Sequence, residues 1–200
     1  LKVPVEFLEK YAYVILGACF VTLLLVSFTP LGLRVNGAKR WLNIFGFTVQ
    51  PSEFAKIGLI IFMAGWLAGK GEDIHRFLRG FLPNVGILAV FCGLFVLERD
   101  LGTIILVGLI AVGMWCLAQV RLRYLASMVL AAAPVVVLLV FQYRYRLYRI
   151  LAFLNPDEYP AHYAYQLKQS LVAVGSGGLF GAGLGRGLQE YYFLPEAHTD

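Results

Sequence analysis

The sequence predicts an all-α polytopic membrane protein, a helical bundle with about five transmembrane spans. Three observations carry that prediction. Hydrophobic residues make up 60% of the chain and charged residues only 14%, with a mean hydropathy of +0.73; a soluble domain carries roughly 45–50% apolar and about 25% charged residues. The apolar residues gather into five stretches of near-spanning length, 11–28, 54–69, 80–97, 101–118 and 124–142. No period-two alternation appears, which argues against a transmembrane barrel.

A run of about eighteen residues at about 1.5 Å each covers roughly 27 Å of the ~30 Å hydrocarbon core. The second stretch is short enough to need its polar flanks. Pro83 and Pro134 fall inside spans, where neighbouring helices can satisfy the carbonyls they free. Cys19, Cys92 and Cys116 each sit in an apolar run without zinc-type spacing, so they read as small buried hydrophobes. The first apolar run is followed by several more, a poor fit to a cleaved signal peptide. The chain therefore reads as an internal piece of something longer.

The net charge is +5 and the pI about 9.2. Arg and Lys are scattered between apolar runs with no basic tract, which suits juxtamembrane flanks and excludes a nucleic-acid partner. Alternating spans sort the connections onto two sides. One side holds Lys2, Lys10, the loop 70–79, Arg121 and Arg123; being compact and basic, it reads as cytoplasmic. The other holds 29–53, the tight link 98–100 and everything from Tyr143 onward. Arg34, Lys39, Arg40 and the arginines after Tyr143 pull the other way.

Residues 1–143 thus form the bundle and 144–200 a large loop. The loop opens "RYRLYRILAFLNP", where arginines alternate with aromatic residues as in a short helix lying at headgroup level. Residues 165–174 have helical spacing, with Leu167, Leu171 and Val174 on one face. The glycine run that follows offers no GxGxxG register and no GxxxxGK[ST], so no nucleotide is expected. It reads either as a plain loop or as backbone that approaches an anionic substrate beside Arg186.

Three further stretches carry chemistry, all on the side opposite the basic loops. In "VQPSEFAK", Pro51 suits a first helical turn, and Glu53 and Lys56 share a face at i,i+3. Lys56 either faces a cavity with Glu53 as partner or snorkels to the surface. Arg40 with Trp41 could form an anion-binding or an interfacial element on that side. In "LERDLGT", Asp100 suits a helix start, and its interest is its position. "YYFLPEAHTD" gathers Glu196, His198 and Asp200; the two acids could raise one another's pKa as a general base requires, or could be solvated decoration.

"VNGAKRW", "QPSEFAK", "DLGT", "RILAFLNP", "YQLKQSL" and "LPEAHTD" occur in this order, and together they resemble the SEDS glycosyltransferase family of FtsW, RodA and SpoVE. "PEAHTD", with Ala197 before His198, is closer to the FtsW/SpoVE branch. Where the family usually reads QPDLGT, this chain has "ERDLGT".

The resemblance implies a ten-span fold, of which about five spans and most of a large extracytoplasmic loop are present here, so the fragment alone is expected to be inactive. It implies polymerisation of lipid II at the outer face of the bacterial cytoplasmic membrane, with polyprenyl pyrophosphate as leaving group. Asp200 matches the family's loop aspartate, the expected general base. Arg40 and Lys56 are the expected cations, and Glu53 would position Lys56 or hold a divalent ion (Mg or Mn, there or near Asp200). Asp100, Glu196, His198 and Arg186 would complete the cavity. The implied partners are a class B penicillin-binding transpeptidase and proteins of the divisome or elongation complex. A lipid II flippase and a non-catalytic scaffold are the alternatives.

Overall fold

The computed structural model describes residues 4–35, 38–44, 47–155, 161–178, 181 and 183. The chain forms two compact units, Leu1–Ala131 and Ala132–Asp200. The first begins with α1 (Val5–Phe28), followed by three strands, β1 (Gly32–Val35), β2 (Ala38–Ile44) and β3 (Phe47–Val49). Helix α2 (Pro51–Lys70) returns through a 3-10 turn (Gly71–His75) and a π turn (Phe77–Phe81) into α3 (Leu82–Leu97) and α4 (Leu101–Leu117). Helix α5 (Leu122–Phe141) runs from the first unit into the second, which continues with α6 (Arg144–Leu154) and α7 (Ala161–Gly177).

Among the described residues four helical segments are long and apolar enough to cross a membrane: Val5–Phe28, Pro51–Lys70, Phe77–Leu97 and Leu122–Phe141. Leu101–Leu117 is a shorter apolar helix. The expected helical bundle is therefore present. Helix α1 starts six residues before the apolar stretch at 11 because Glu6, Glu9 and Lys10 are good helix formers that hydropathy alone leaves out. Helix α2 starts at Pro51, whose fixed φ and missing N–H suit a first turn.

The sheet was not anticipated. Three antiparallel strands in the order β1-β2-β3 fill the segment read as a loop. Strands of three to seven residues alternate over too few positions to register as a period. Leu33 pairs with Trp41 and Arg34 with Lys39, so Arg40 is the extra residue of a β-bulge. A bulge of this kind bends its strand and re-aims a side chain.

The core of the first unit joins four helices. Leu16, Cys19 and Leu23 of α1 meet Ala55, Leu59 and Phe62 of α2, with Phe91 and Phe95 of α3 and Val107, Ala111 and Trp115 of α4 completing it. Lipid tails are as apolar as these side chains, so close packing and internal hydrogen bonds hold the helices together. Gly58 illustrates the packing: a Cβ there would lie 2.8 Å from the Cys19 sulfur. Two indole tips are satisfied internally, Trp115 Nε1 donating to Asn84 Oδ1 at 2.9 Å and Trp66 Nε1 to the Gly80 carbonyl at 3.1 Å.

Candidate functional site

The polar residues of the first unit converge where α3 turns into α4. Arg99 stands at φ 59°, in the left-handed region. Its N–H donates to the Val96 carbonyl and that of Asp100 to the Phe95 carbonyl, both at 2.9 Å. This is the Schellman arrangement, which satisfies two of the carbonyls a helix end leaves open. The chain reverses so tightly that Asp100 is at once the residue leaving α3 and the N-cap of α4, its Oδ1 accepting from the Thr103 N–H at 3.1 Å.

Two other segments lock onto this turn. Arg40, re-aimed by the bulge, donates from Nε to the Glu98 carbonyl at 2.7 Å and from Nη2 to the Arg99 carbonyl at 2.6 Å. A cation at a helix C-terminus is favoured by the dipole as well as by the open carbonyls. Gln50, the N-cap residue of α2, donates from Nε2 to Asp100 Oδ2 at 3.2 Å and to Ser52 Oγ at 2.7 Å. Ser52 and Glu98 are fully buried, at 0% exposure. Neither carboxyl oxygen of Glu98 has a hydrogen-bond partner among the described residues. Burial, and then the negative charge of Asp100, push this carboxyl from 4.5 up to about 8, against the opposing pull of Arg40.

Glu53 and Lys56 form the ion pair their spacing permits, Nζ to Oε2 at 2.8 Å, with the lysine side chain 18% and the glutamate 57% exposed. The structure thus brings Arg40 and Asp100 to one turn and pairs Glu53 with Lys56 on α2. Arg186, Glu196, His198 and Asp200 lie outside the described residues. Sequence reasoning missed Gln50, Ser52 and Glu98 as parts of the site. The signal for Glu98 was a carboxyl directly ending an apolar run; for Gln50, nothing local announces a partner fifty residues away. Among the described residues no three His, Cys, Asp or Glu side chains converge, and Glu53 is engaged by Lys56.

A bundle of apolar helices long enough to span a bilayer, with a polar cluster at one helix turn, defines a multi-pass membrane protein. The chain belongs to the FtsW/RodA/SpoVE family, described as cell cycle proteins, whose profile matches residues 1–200. It is 44% identical over 192 residues to the probable peptidoglycan glycosyltransferase FtsW of Geobacter metallireducens, covering 96% of this chain and 51% of that protein. The similarly described Escherichia coli protein is 37% identical over 200 residues, covering 100% and 48%. The chain spans about half the length of the curated relatives it matches.

Among solved structures, one described as "Structural coordination of polymerization and crosslinking by a peptidoglycan synthase complex" matches with a TM-score of 0.64 and 30% identity, over 87% of this chain and 51% of that one. The crystal structure of the rod shape determining protein RodA of Thermus thermophilus matches with a TM-score of 0.56 and 28% identity, over 65% and 42%.

Proposed function

We propose that this chain carries part of a peptidoglycan glycosyltransferase of the FtsW type, polymerising lipid II at the outer face of the cytoplasmic membrane. The observation that supports it most is the convergence of Arg40, Gln50, Ser52, Glu98 and Asp100 from three separate stretches onto one end of the spans. In this reading Asp200 takes the proton from the acceptor sugar hydroxyl as that oxygen attacks the donor's anomeric carbon. The centre inverts and polyprenyl pyrophosphate leaves, gaining negative charge that fixed cations must stabilise. Lys56, held by its ion pair with Glu53, is the cation this reading assigns to that charge. Arg40, tied to two carbonyls, shapes the site and adds positive potential to it. Arg186, Glu196 and His198 would line the approach. The compact basic loops would face the cytoplasm, and a class B transpeptidase of the divisome or elongation complex would crosslink the product.

The test uses the full-length protein with its transpeptidase partner, purified, and labelled lipid II. Asp200→Ala should abolish polymer. Normal polymerisation by that variant would remove the general-base assignment and favour a scaffold. A wild type that moves lipid II across vesicles but never elongates it would replace the transferase reading with a flippase.

A further inference from the structure

Glu98 is the one fully buried carboxyl among the described residues, and its surroundings pose a physical contradiction. The Arg40 guanidinium bonds the main-chain oxygen of this same residue at 2.7 Å, yet both Glu98 side-chain oxygens are without a partner among the described residues. A bond from a cation to a carboxylate is about twice as strong as one between neutral groups, and a buried unpaired carboxylate is costly. An ionised Glu98 would therefore compete for the guanidinium. That the guanidinium stays on the carbonyls is what a neutral carboxylic acid allows.

The charges acting on Glu98 can be named element by element. β2 contributes Arg40, and the turn itself contributes Asp100; Arg99 adjoins Glu98 in the chain but is not among the charges that shift it. Helix α2 approaches the turn with uncharged Gln50 and Ser52, while its Glu53 and Lys56 neutralise one another. The last turn of α1 carries no basic residue. One cation shared between two carbonyls and one buried carboxyl is a two-position arrangement.

We propose that Glu98 is a proton-sensitive positioning residue: while its carboxyl is neutral, Arg40 stays on the carbonyls of Glu98 and Arg99, and once it ionises Arg40 turns to the carboxylate and releases β2 from the α3–α4 turn. The proton leaves to solvent and no bond other than O–H is broken. The raised pKa of the buried acid places this switch just above neutral pH. The inference rests on this turn's geometry and the burial of Glu98, and stands or falls independently of the transferase reading.

The test is hydrogen–deuterium exchange of residues 38–44 in the full-length protein in detergent micelles, with rates corrected for intrinsic exchange, from about pH 6 to about pH 9.5. Wild type should lose protection on the order of tenfold as pH rises through the switch, because two charge-assisted bonds are given up. Glu98→Gln, which keeps both carbonyl acceptors but cannot ionise, should hold its protection throughout. Arg40→Gln should be unprotected at every pH. Superimposable profiles for wild type and Glu98→Gln would overturn the proposal. An infrared band of a protonated carboxyl, missing from Glu98→Gln, should be present in wild type at about pH 6 and gone at about pH 9.5; its absence at the lower pH would also overturn it. If Glu98→Gln does not accumulate, Asp100→Asn replaces it: loss of the neighbouring negative charge should move the wild-type step to lower pH, and an unmoved step refutes the mechanism.

Discussion

Replacing Asp100 by alanine removes two bonds from opposite sides of one carboxylate. Oδ1 caps α4 through the Thr103 N–H, and Oδ2 holds the Gln50 amide at the start of α2. Loss of an N-cap costs about 1 kcal/mol. The Gln50 bond goes to a charged acceptor, worth about 1.5–3 kcal/mol in full, but Gln50 is half-buried and keeps Ser52, so about 1 kcal/mol is expected. Asp100→Ala should therefore destabilise by roughly 2 kcal/mol. Asp100→Asn keeps the cap oxygen but turns an amide donor toward the Gln50 donor, and should cost about half as much.

The assay is reversible unfolding of the full-length protein in mixed micelles, read by tryptophan fluorescence, with Gln50→Ala completing a double-mutant cycle. A coupling of about 1 kcal/mol between positions 50 and 100 is expected. Zero coupling, or equal losses in the alanine and asparagine variants, would show that α2 and α4 are not tied through this carboxylate.

The other predictions concern the turns, the helix packing and the buried acid. Arg99→Gly should be neutral or up to about 1 kcal/mol more stable, since φ 59° suits glycine. Arg99→Pro should cost about 3 kcal/mol or more, because proline locks φ near −65° and removes the N–H bonded to Val96. Gly58→Ala should cost about 1–3 kcal/mol by overpacking against the Cys19 sulfur, and Cys19→Ala in that background should recover part of it in the same unfolding assay. Glu98 has a folded-state pKa above its unfolded one, so the native state holds a proton that the unfolded chain has lost. Stability should fall as pH rises from about 4.5 to about 8 and level off above, by at most roughly 5 kcal/mol. Glu98→Gln should remove that slope in a pH series of unfolding midpoints.

The spans were legible because a bilayer demands runs of apolar residues, and such runs dominate composition locally. Pro51 and Asp100 were legible as helix starts because capping is decided within a few residues. The sheet was not: its strands of three to seven residues are too short to show a sustained period. The polar cluster was legible only in part, since Arg40 reaches the turn across 58 residues and Gln50 reaches Asp100 across 50. Glu98 read only as one end of the tight link 98–100, and only packing reveals that it is buried. The motif resemblance supplied Asp200, which lies outside the described residues.

Arg40 grips two oxygens that every amino acid possesses. Side chains at 98 and 99 can be exchanged without removing the acceptors, provided the turn keeps its backbone shape. The donor has no such freedom, because only a guanidinium can reach both oxygens at once in a planar fork. Pairwise covariation among relatives should then leave Arg40 without a compensating position at the α3–α4 turn, although this contact anchors the sheet. Evolution could preserve the attachment through one invariant donor and a backbone shape, and the record of that contact would be the arginine alone.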